Sequence, residues 1–164
     1  MANVEFTDNS IKVKEAMNEA ALKWLEESAI VIHSEVKRTA AVSKKGGNRG
    51  QTKGNWKWVV DEKKMEATVG NPLENAIWEE FGTGEYAEGG KGRKGGWYIP
   101  IGEGEGQISQ AVVDSYGFKV VHGKDGVDFA FTKGKRPKRT LHNAYVKKKG
   151  KIVARAKEVF GGMK

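Results

Sequence analysis

The chain has 164 residues, of which 38% are hydrophobic and 30% charged, so its composition is that of one globular domain and not of a disordered chain. It contains no cysteine, which excludes disulfides, thiolate zinc sites and cysteine nucleophiles and suits a reducing cytoplasm. No run approaches 18 apolar residues, and the N-terminus lacks a basic start and an apolar stretch, so we expect neither a membrane span nor a signal peptide.

The first element is a long amphipathic helix over residues 10–42. Charged side chains such as Lys12, Glu15 and Glu19 share one side of its helical wheel. Ile30 also points to that charged side, and we expect it to contact a neighbouring subunit. The opposite side is apolar and consists of Val13, Met17, Ala20, Ala21, Trp24, Leu25, Val31, Ile32 and Val36.

A basic loop over residues 43–54 leads into a predicted β-hairpin. Apolar side chains alternate on both of its strands, which flank a turn at residues 61–64; they are Trp56, Trp58 and Val60, then Met65, Ala67 and Val69. Four tryptophans, Trp56, Trp58, Trp78 and Trp97, raise the alternative of a stacking surface for single-stranded nucleic acid. Alternating tryptophans on a strand are more often core residues, and we favour that interpretation.

A short helix is predicted over residues 73–81. Its inward face is expected to include Ala76, Ile77 and either Phe81 or Trp78, and we favour Phe81 as the residue that anchors the helix to the core. Trp78 lies about 60° from Phe81 around the helix, where a partner can reach it.

Glycine dominates residues 82–106, with ten glycines among 25 positions. Residues 97–101 interrupt this stretch as a strand, and Pro100 places that strand at a sheet edge. The rest is predicted to be a flexible arm, because it has too few apolar groups to offset the entropy of ordering. The residues predicted for this mobile arm include Glu85, Tyr86, Lys91, Arg93 and Lys94.

The last part of the chain reads as a helical turn at residues 108–113, a second hairpin over residues 118–131 and a helix from Pro137 to about Phe160. Residues 133–157 contain eleven lysines or arginines and no acidic residue, so they carry +11 while the remainder carries −3. Such a block predicts a polyanion or an acidic protein surface as neighbour, although a solvated helix face is an equally common explanation. The predicted basic surface consists of Lys135, Arg136, Lys138, Arg139, Lys147, Lys148, Lys149 and Lys151.

This order of elements predicts an α+β fold: an antiparallel sheet of hairpins packed by a long N-terminal helix and a C-terminal helix. Residues 1–164 are expected to form a single domain, since no internal repeat or boundary is visible.

The sequence contains no catalytic, metal-binding or cofactor-binding motif in the structural context that such a motif requires. Residues 82–87, "GTGEYA", match a loose dinucleotide fingerprint, which requires a strand before it and a helix N-terminus after it. Here a helix precedes the motif and a glycine-rich coil follows it. The three histidines lie on separate elements without metal-ligand spacing, and no G-x-S-x-G elbow occurs. We therefore expect no catalytic residue, no metal site and no cofactor.

Several motifs in order resemble a known family. They are "TKGNWKW" from Thr52, a hairpin ending in V-G-N, "ENAIWEEFGTG" from Glu74 and a proline-led C-terminal helix. This series resembles the tail-component or neck proteins of long-tailed double-stranded DNA phages, which help to join head and tail. The linker between "FGTG" and the last helix is longer in this chain than is usual in that family.

The resemblance implies a structural head–tail joining or tail completion protein that forms a ring, sixfold in the family pattern, at the neck or top of the tail. Its partners would be further copies of itself and neighbouring neck and tail proteins, in a virion assembled in the host cytoplasm. The residues expected at the subunit interface are Ile30, Trp78, Phe81, Gly82 and Thr83. The alternative is a small basic nucleic-acid-binding protein that uses its C-terminal helix, and non-specific contact with DNA is compatible with both.

Overall fold

The computed structural model describes residues 8–40 and 50–162. The helices are α1 (Ser10–Thr39), α2 (Gln51–Gly54), α3 (Glu74–Phe81), α4 (Gln110–Tyr116) and α5 (Thr140–Gly161). The strands are β1 (Lys57–Asp61), β2 (Glu66–Gly70), β3 (Trp97–Pro100), β4 (Lys119–His122) and β5 (Asp128–Thr132). Two 3-10 turns, Gly84–Tyr86 and Glu88–Gly90, lie between α3 and β3.

The two long helices, α1 and α5, form an antiparallel pair that organises the molecule. Near the end of α1 and the start of α5, the core consists of Ile32, Val36, Ala40, Trp56 and Ala144. At the other end of the pair, the ring of Trp24 meets that of Phe160 edge-on, with centroids 6.2 Å apart. Between these ends, Arg155 donates to Glu27 at 2.7 Å. Because later residues of α1 contact earlier residues of α5, the two helices run antiparallel.

The strands form two antiparallel sheets. One is the hairpin β1–β2, where Trp58 pairs with Val69, and it packs on α1. The other has the order β3–β5–β4, so β3 and its Pro100 lie at an edge as predicted. The α+β class is confirmed, with the strands divided between two small sheets where the sequence suggested one.

Two local predictions need correction or lie partly outside the described residues, and a third is confirmed. Helix α1 ends at Thr39, and residues 41 and 42, the last two predicted for it, lie outside the described residues. The end of the predicted basic loop is the short helix α2, while residues 43–49 lie outside the described ranges. Trp56 is buried, which confirms the core interpretation for this tryptophan.

Candidate assembly surfaces

The inner face of α3 consists of Ala76 and Glu80, both buried. The Glu80 carboxylate accepts hydrogen bonds from the backbone N–H groups of Leu141 and His142, each at 2.9 Å. These are two of the N–H groups that the first turn of a helix leaves without an intrahelical partner. Glu80 therefore caps α5 from a helix that lies some 60 residues earlier in the chain.

This arrangement corrects the predicted orientation of α3. Ile77 and Phe81 do not face the core: their side chains are 59% and 53% exposed, and Trp78 beside them is 49% exposed. Ala76 and Glu80 form the face that meets the start of α5, and Ile77 and Phe81 lie about 80° and 120° around the helix from the centre of that face. We name Ile77, Trp78 and Phe81, with the exposed Glu74 at their N-terminal end, the α3 patch.

Glu79 connects α3 to the segment that precedes α5. Its carboxylate binds Lys135 at 2.9 Å and Lys138 at 3.1 Å, and its carbonyl accepts the N–H of Lys138 at 2.7 Å. Burial raises the pKa of Glu79, but the hydrogen bonds from Lys135 and Lys138 outweigh it, so the pKa lies below its usual value. The carboxylate is therefore charged at neutral pH and holds both lysines.

Gly82 and Thr83, predicted at the interface, bind their own chain. A side chain on Gly82 would bring its Cβ within 2.7 Å of the carbonyl oxygen of Lys135, so only glycine fits at this position. Thr83 donates its N–H to Lys135 at 2.8 Å and accepts the N–H of Lys135 on Oγ1 at 3.0 Å. These two residues thus fix the end of α3 to the segment before α5.

Ile30 is exposed, as predicted, but it lies away from the α3 patch. It lines an open groove of about 400 Å³ between α1 and α5, together with Val31, Ile152 and Ala154. The structure therefore brings Trp78 and Phe81 together on one surface and places Ile30 on another.

The predicted arm has defined contacts at its start. Glu85 donates its N–H to the carbonyl of Lys133 at 2.9 Å, and the guanidinium of Arg136 lies 4.5 Å from the centre of the Tyr86 ring. Glu88 then binds Arg139 at 2.9 Å. Further along, Arg93 lies over the Trp97 ring at 5.8 Å, and Lys91 and Lys94 are exposed. The flexibility of this stretch remains a prediction. The contacts of Glu85, Tyr86 and Glu88 favour an ordered conformation for its first residues.

The predicted basic surface is engaged with carboxylates of the same chain at five of its eight residues. Lys135 and Lys138 bind Glu79, and Arg139 binds Glu88. Lys147 and Lys148 each bind Glu35 at 3.1 Å. Arg136 stacks on Tyr86. Within residues 8–40 and 50–162, Lys149 and Lys151 take part in no ion pair.

Glu35 is the centre of the strongest of these charge clusters. Its side chain is 4% exposed and contacts Arg38 on α1 as well as Lys147 and Lys148 on α5. The hydrogen bonds from Arg38, and then from the two lysines, outweigh burial and lower the pKa of Glu35 to about 2. Glu35 is therefore an anion at neutral pH.

The part of the chain that the structure describes holds no cluster of three or more acidic or histidine side chains able to bind a metal ion. Nor does any of its helices combine the length and the apolar character needed to cross a bilayer. His33 binds the carbonyl of Trp56 at 3.0 Å and His122 binds Asp128 at 2.7 Å, so each has a structural partner.

Sequence reasoning missed Glu80 as a cap. The available signal was the pair of glutamates at the end of α3, Glu79 and Glu80, in a chain whose later segment is strongly basic. It also missed that the first ten residues of α1 are all exposed.

Comparison with known proteins agrees with the resemblance seen in the motifs. Residues 5–82, just under half of the chain, match the family model described as "Bacteriophage HK97-gp10, putative tail-component". No curated protein and no solved structure matches the chain. The matched segment contains α1, the β1–β2 hairpin and α3 as far as Gly82, which includes the entire α3 patch. Over residues 5–82, therefore, the chain is similar to the HK97-gp10-like family of phage tail components.

Proposed function

We propose that this chain is a phage or prophage head–tail joining or tail completion protein that assembles as a sixfold homo-oligomeric ring at the neck or top of the tail. It would contact neighbouring neck and tail proteins, and the virion would acquire it during assembly in the host cytoplasm. The role is structural, in keeping with a tail-component family, and we expect neither catalysis nor a cofactor.

The α3 patch is the observation that supports this proposal most strongly. Three large apolar side chains lie exposed on one short helix, and such clusters on a soluble protein mark interaction sites. Aromatic side chains, tryptophan above all, are the residue types that anchor protein interfaces. Glu79 and Glu80 hold the helix from its other sides, so the patch is preorganised and little freedom is lost on binding.

Native mass spectrometry of the purified protein tests the proposal, and we expect one closed oligomer. Trp78→Ala should weaken assembly by about 2 kcal/mol or more, roughly 30-fold, because it removes an interface anchor. The monomer should melt at nearly the wild-type temperature, because half of the Trp78 side chain is already exposed. Tyr116→Ala, which removes an exposed aromatic ring from α4, is the matched control and should leave assembly unchanged.

Two results would count against the proposal. A protein that stays monomeric at high concentration would contradict the ring. A loss of about 3–5 kcal/mol of stability in Trp78→Ala would show that Trp78 is a core residue and that any loss of assembly is secondary.

The alternative, a nucleic-acid-binding protein, has less support. Its predicted surface is largely occupied by ion pairs within the chain, which lowers the charge available to phosphates.

A further inference from the structure

The first ten residues of α1 extend beyond its partner helix. Helix α5 ends at Gly161, and its Phe160 packs against Trp24 of α1. Every residue from Ser10 to Glu19 is exposed. This segment, which we name the α1 overhang, is about 15 Å long at 1.5 Å per residue.

The overhang continues the apolar side of α1. Val13 and Met17 are one turn apart, and their side chains are 55% and 49% exposed. They extend the line that reaches α5 through the half-buried Ala20 and Trp24. Short helical segments are only marginally stable in water without packing on an apolar face. An apolar stripe that runs out of an existing helix interface is therefore suited to a further partner.

The overhang and the α3 patch lie at opposite ends of the α1–α5 pair. Glu80 fixes α3 to the first turn of α5, which packs beside Val36 on α1. The overhang ends at Glu19, about 25 Å from Val36 along the helix axis. One surface therefore cannot cover the other within the same molecule. Two different surfaces at opposite ends are what a head-to-tail contact between identical subunits requires, and such contacts generate rings when the rotation closes.

The two surfaces also have complementary charges. Lys14 lies about 60° from Met17 around α1, so it borders the apolar stripe, whereas Lys12 lies about 140° away. On the α3 patch, Glu74 lies within about 60° of each of the three apolar residues. Lys14 and Glu74 are both exposed, and neither makes an ion pair with any residue in the described ranges. The family segment, residues 5–82, contains both surfaces but not α5.

We propose that the α1 overhang of one copy docks on the α3 patch of the next copy. Val13 and Met17 pack against Ile77, Trp78 and Phe81, and Lys14 pairs with Glu74. This inference rests on the proposed self-assembly and names its second surface. Contact between the two stripes removes exposed apolar area from both, and the ion pair at the rim sets the register.

Disulfide trapping gives a direct test, because the chain contains no cysteine of its own. The variants Val13→Cys and Ile77→Cys are purified separately and oxidised alone or as a mixture. The proposal predicts covalent dimers in the mixture and little cross-linking in either variant alone. The variant that carries both changes should give a ladder of multimers, because Val13 lies about 35 Å along the α1 axis from Val36, near the end of the helix pair that holds α3, and this distance prevents a bond within one chain. Dimers formed by Val13→Cys alone would instead show two overhangs paired symmetrically, which overturns the proposal.

Charge reversal supplies an independent test in solution. Lys14→Glu and Glu74→Lys should each weaken assembly roughly tenfold, because like charges would then meet at the rim. The double variant should recover most of the affinity, which also shows that the single variants are folded. Lys12→Glu makes the same change on the other side of the overhang and should leave assembly unchanged. Failure of the double variant to recover would count against the pairing of Lys14 with Glu74.

These outcomes separate this inference from the proposed function. If a closed oligomer forms but the mixed cysteine variants do not cross-link and charge reversal has no effect, another surface or another segment occupies the α3 patch. The ring then stands and this contact is wrong. If wild-type protein shows no oligomer at any concentration, the ring and the contact fail together.

Discussion

At the residue scale, Glu80 joins two parts of the chain with different roles. It lies on α3, within the family segment, and its carboxylate binds the first free N–H groups of α5, which lies outside that segment. The residue before α5, Arg139, has a φ of +49° and its side chain makes no capping hydrogen bond. The negative charge of Glu80 also interacts favourably with the positive end of the α5 dipole. A distant carboxylate thus replaces the cap that the local sequence lacks.

Replacing Glu80 tests this role. Glu80→Ala should lower the free energy of unfolding by about 1–3 kcal/mol, because it leaves two partly buried N–H groups at the start of α5 without an acceptor. Glu80→Gln should cost less, since its amide oxygen still accepts one hydrogen bond. Urea denaturation gives both values, and Glu74→Ala on the exposed side of the same helix should change stability by only a few tenths of a kcal/mol. Equal losses in Glu74→Ala and Glu80→Ala would contradict the capping role.

At the element scale, periodicity predicted most of the structure and failed at α3. The alternation of Phe129 and Phe131 identified β5, and the apolar stripe of Ile32 and Val36 identified the packed part of α1. The same logic put Ile77 and Phe81 in the core, where the structure has Ala76 and Glu80. A sequence window shows which residues share a helix face but not which distant groups that face must meet. Trp78 and Phe81 were therefore predictable as members of the candidate interface, whereas Ile77 and the surface that the three residues form were not.

The segment after α3 gives a prediction at this scale. The N–H groups of Thr83 and Glu85 bind the carbonyls of Lys135 and Lys133, at 2.8 and 2.9 Å. Hydrogen exchange of the isolated subunit should show protection at these two amides. Residues 89–96 should exchange within seconds, since this glycine-rich backbone is mostly exposed and costly to order.

Two results would change this picture. Rapid exchange at Thr83 and Glu85 would mean that the whole arm is mobile in the subunit. Strong protection across residues 89–96 would mean that the arm is a built structure and would reopen the question of a ligand there.

At the scale of the whole molecule, the uneven distribution of charge leads to ion pairs between the basic last part of the chain and earlier elements. The positive segment that precedes and forms α5 meets glutamates of earlier elements: Glu27 and Glu35 on α1, Glu79 on α3, and Glu85 and Glu88 in the 3-10 turns. The resulting pairs fasten the last part of the chain to α1, α3 and the glycine-rich stretch. Among the eleven cations of residues 133–157, those without an ion pair in the described ranges are Arg136, Lys149, Lys151 and Lys157.

DNA binding is the property that this charge pairing limits. With about four cations available, the logarithm of the affinity should fall against the logarithm of salt with a slope no steeper than about −4. Binding to duplex DNA, measured by fluorescence anisotropy, should be weak and lost near physiological salt. The double variant Lys149→Glu/Lys151→Glu should abolish what remains, whereas Lys12→Glu/Lys23→Glu makes the same charge change on α1 and should reduce it less. Sub-micromolar binding at physiological salt, with a slope near −10, would mean that DNA displaces the internal ion pairs and would favour the nucleic-acid-binding alternative.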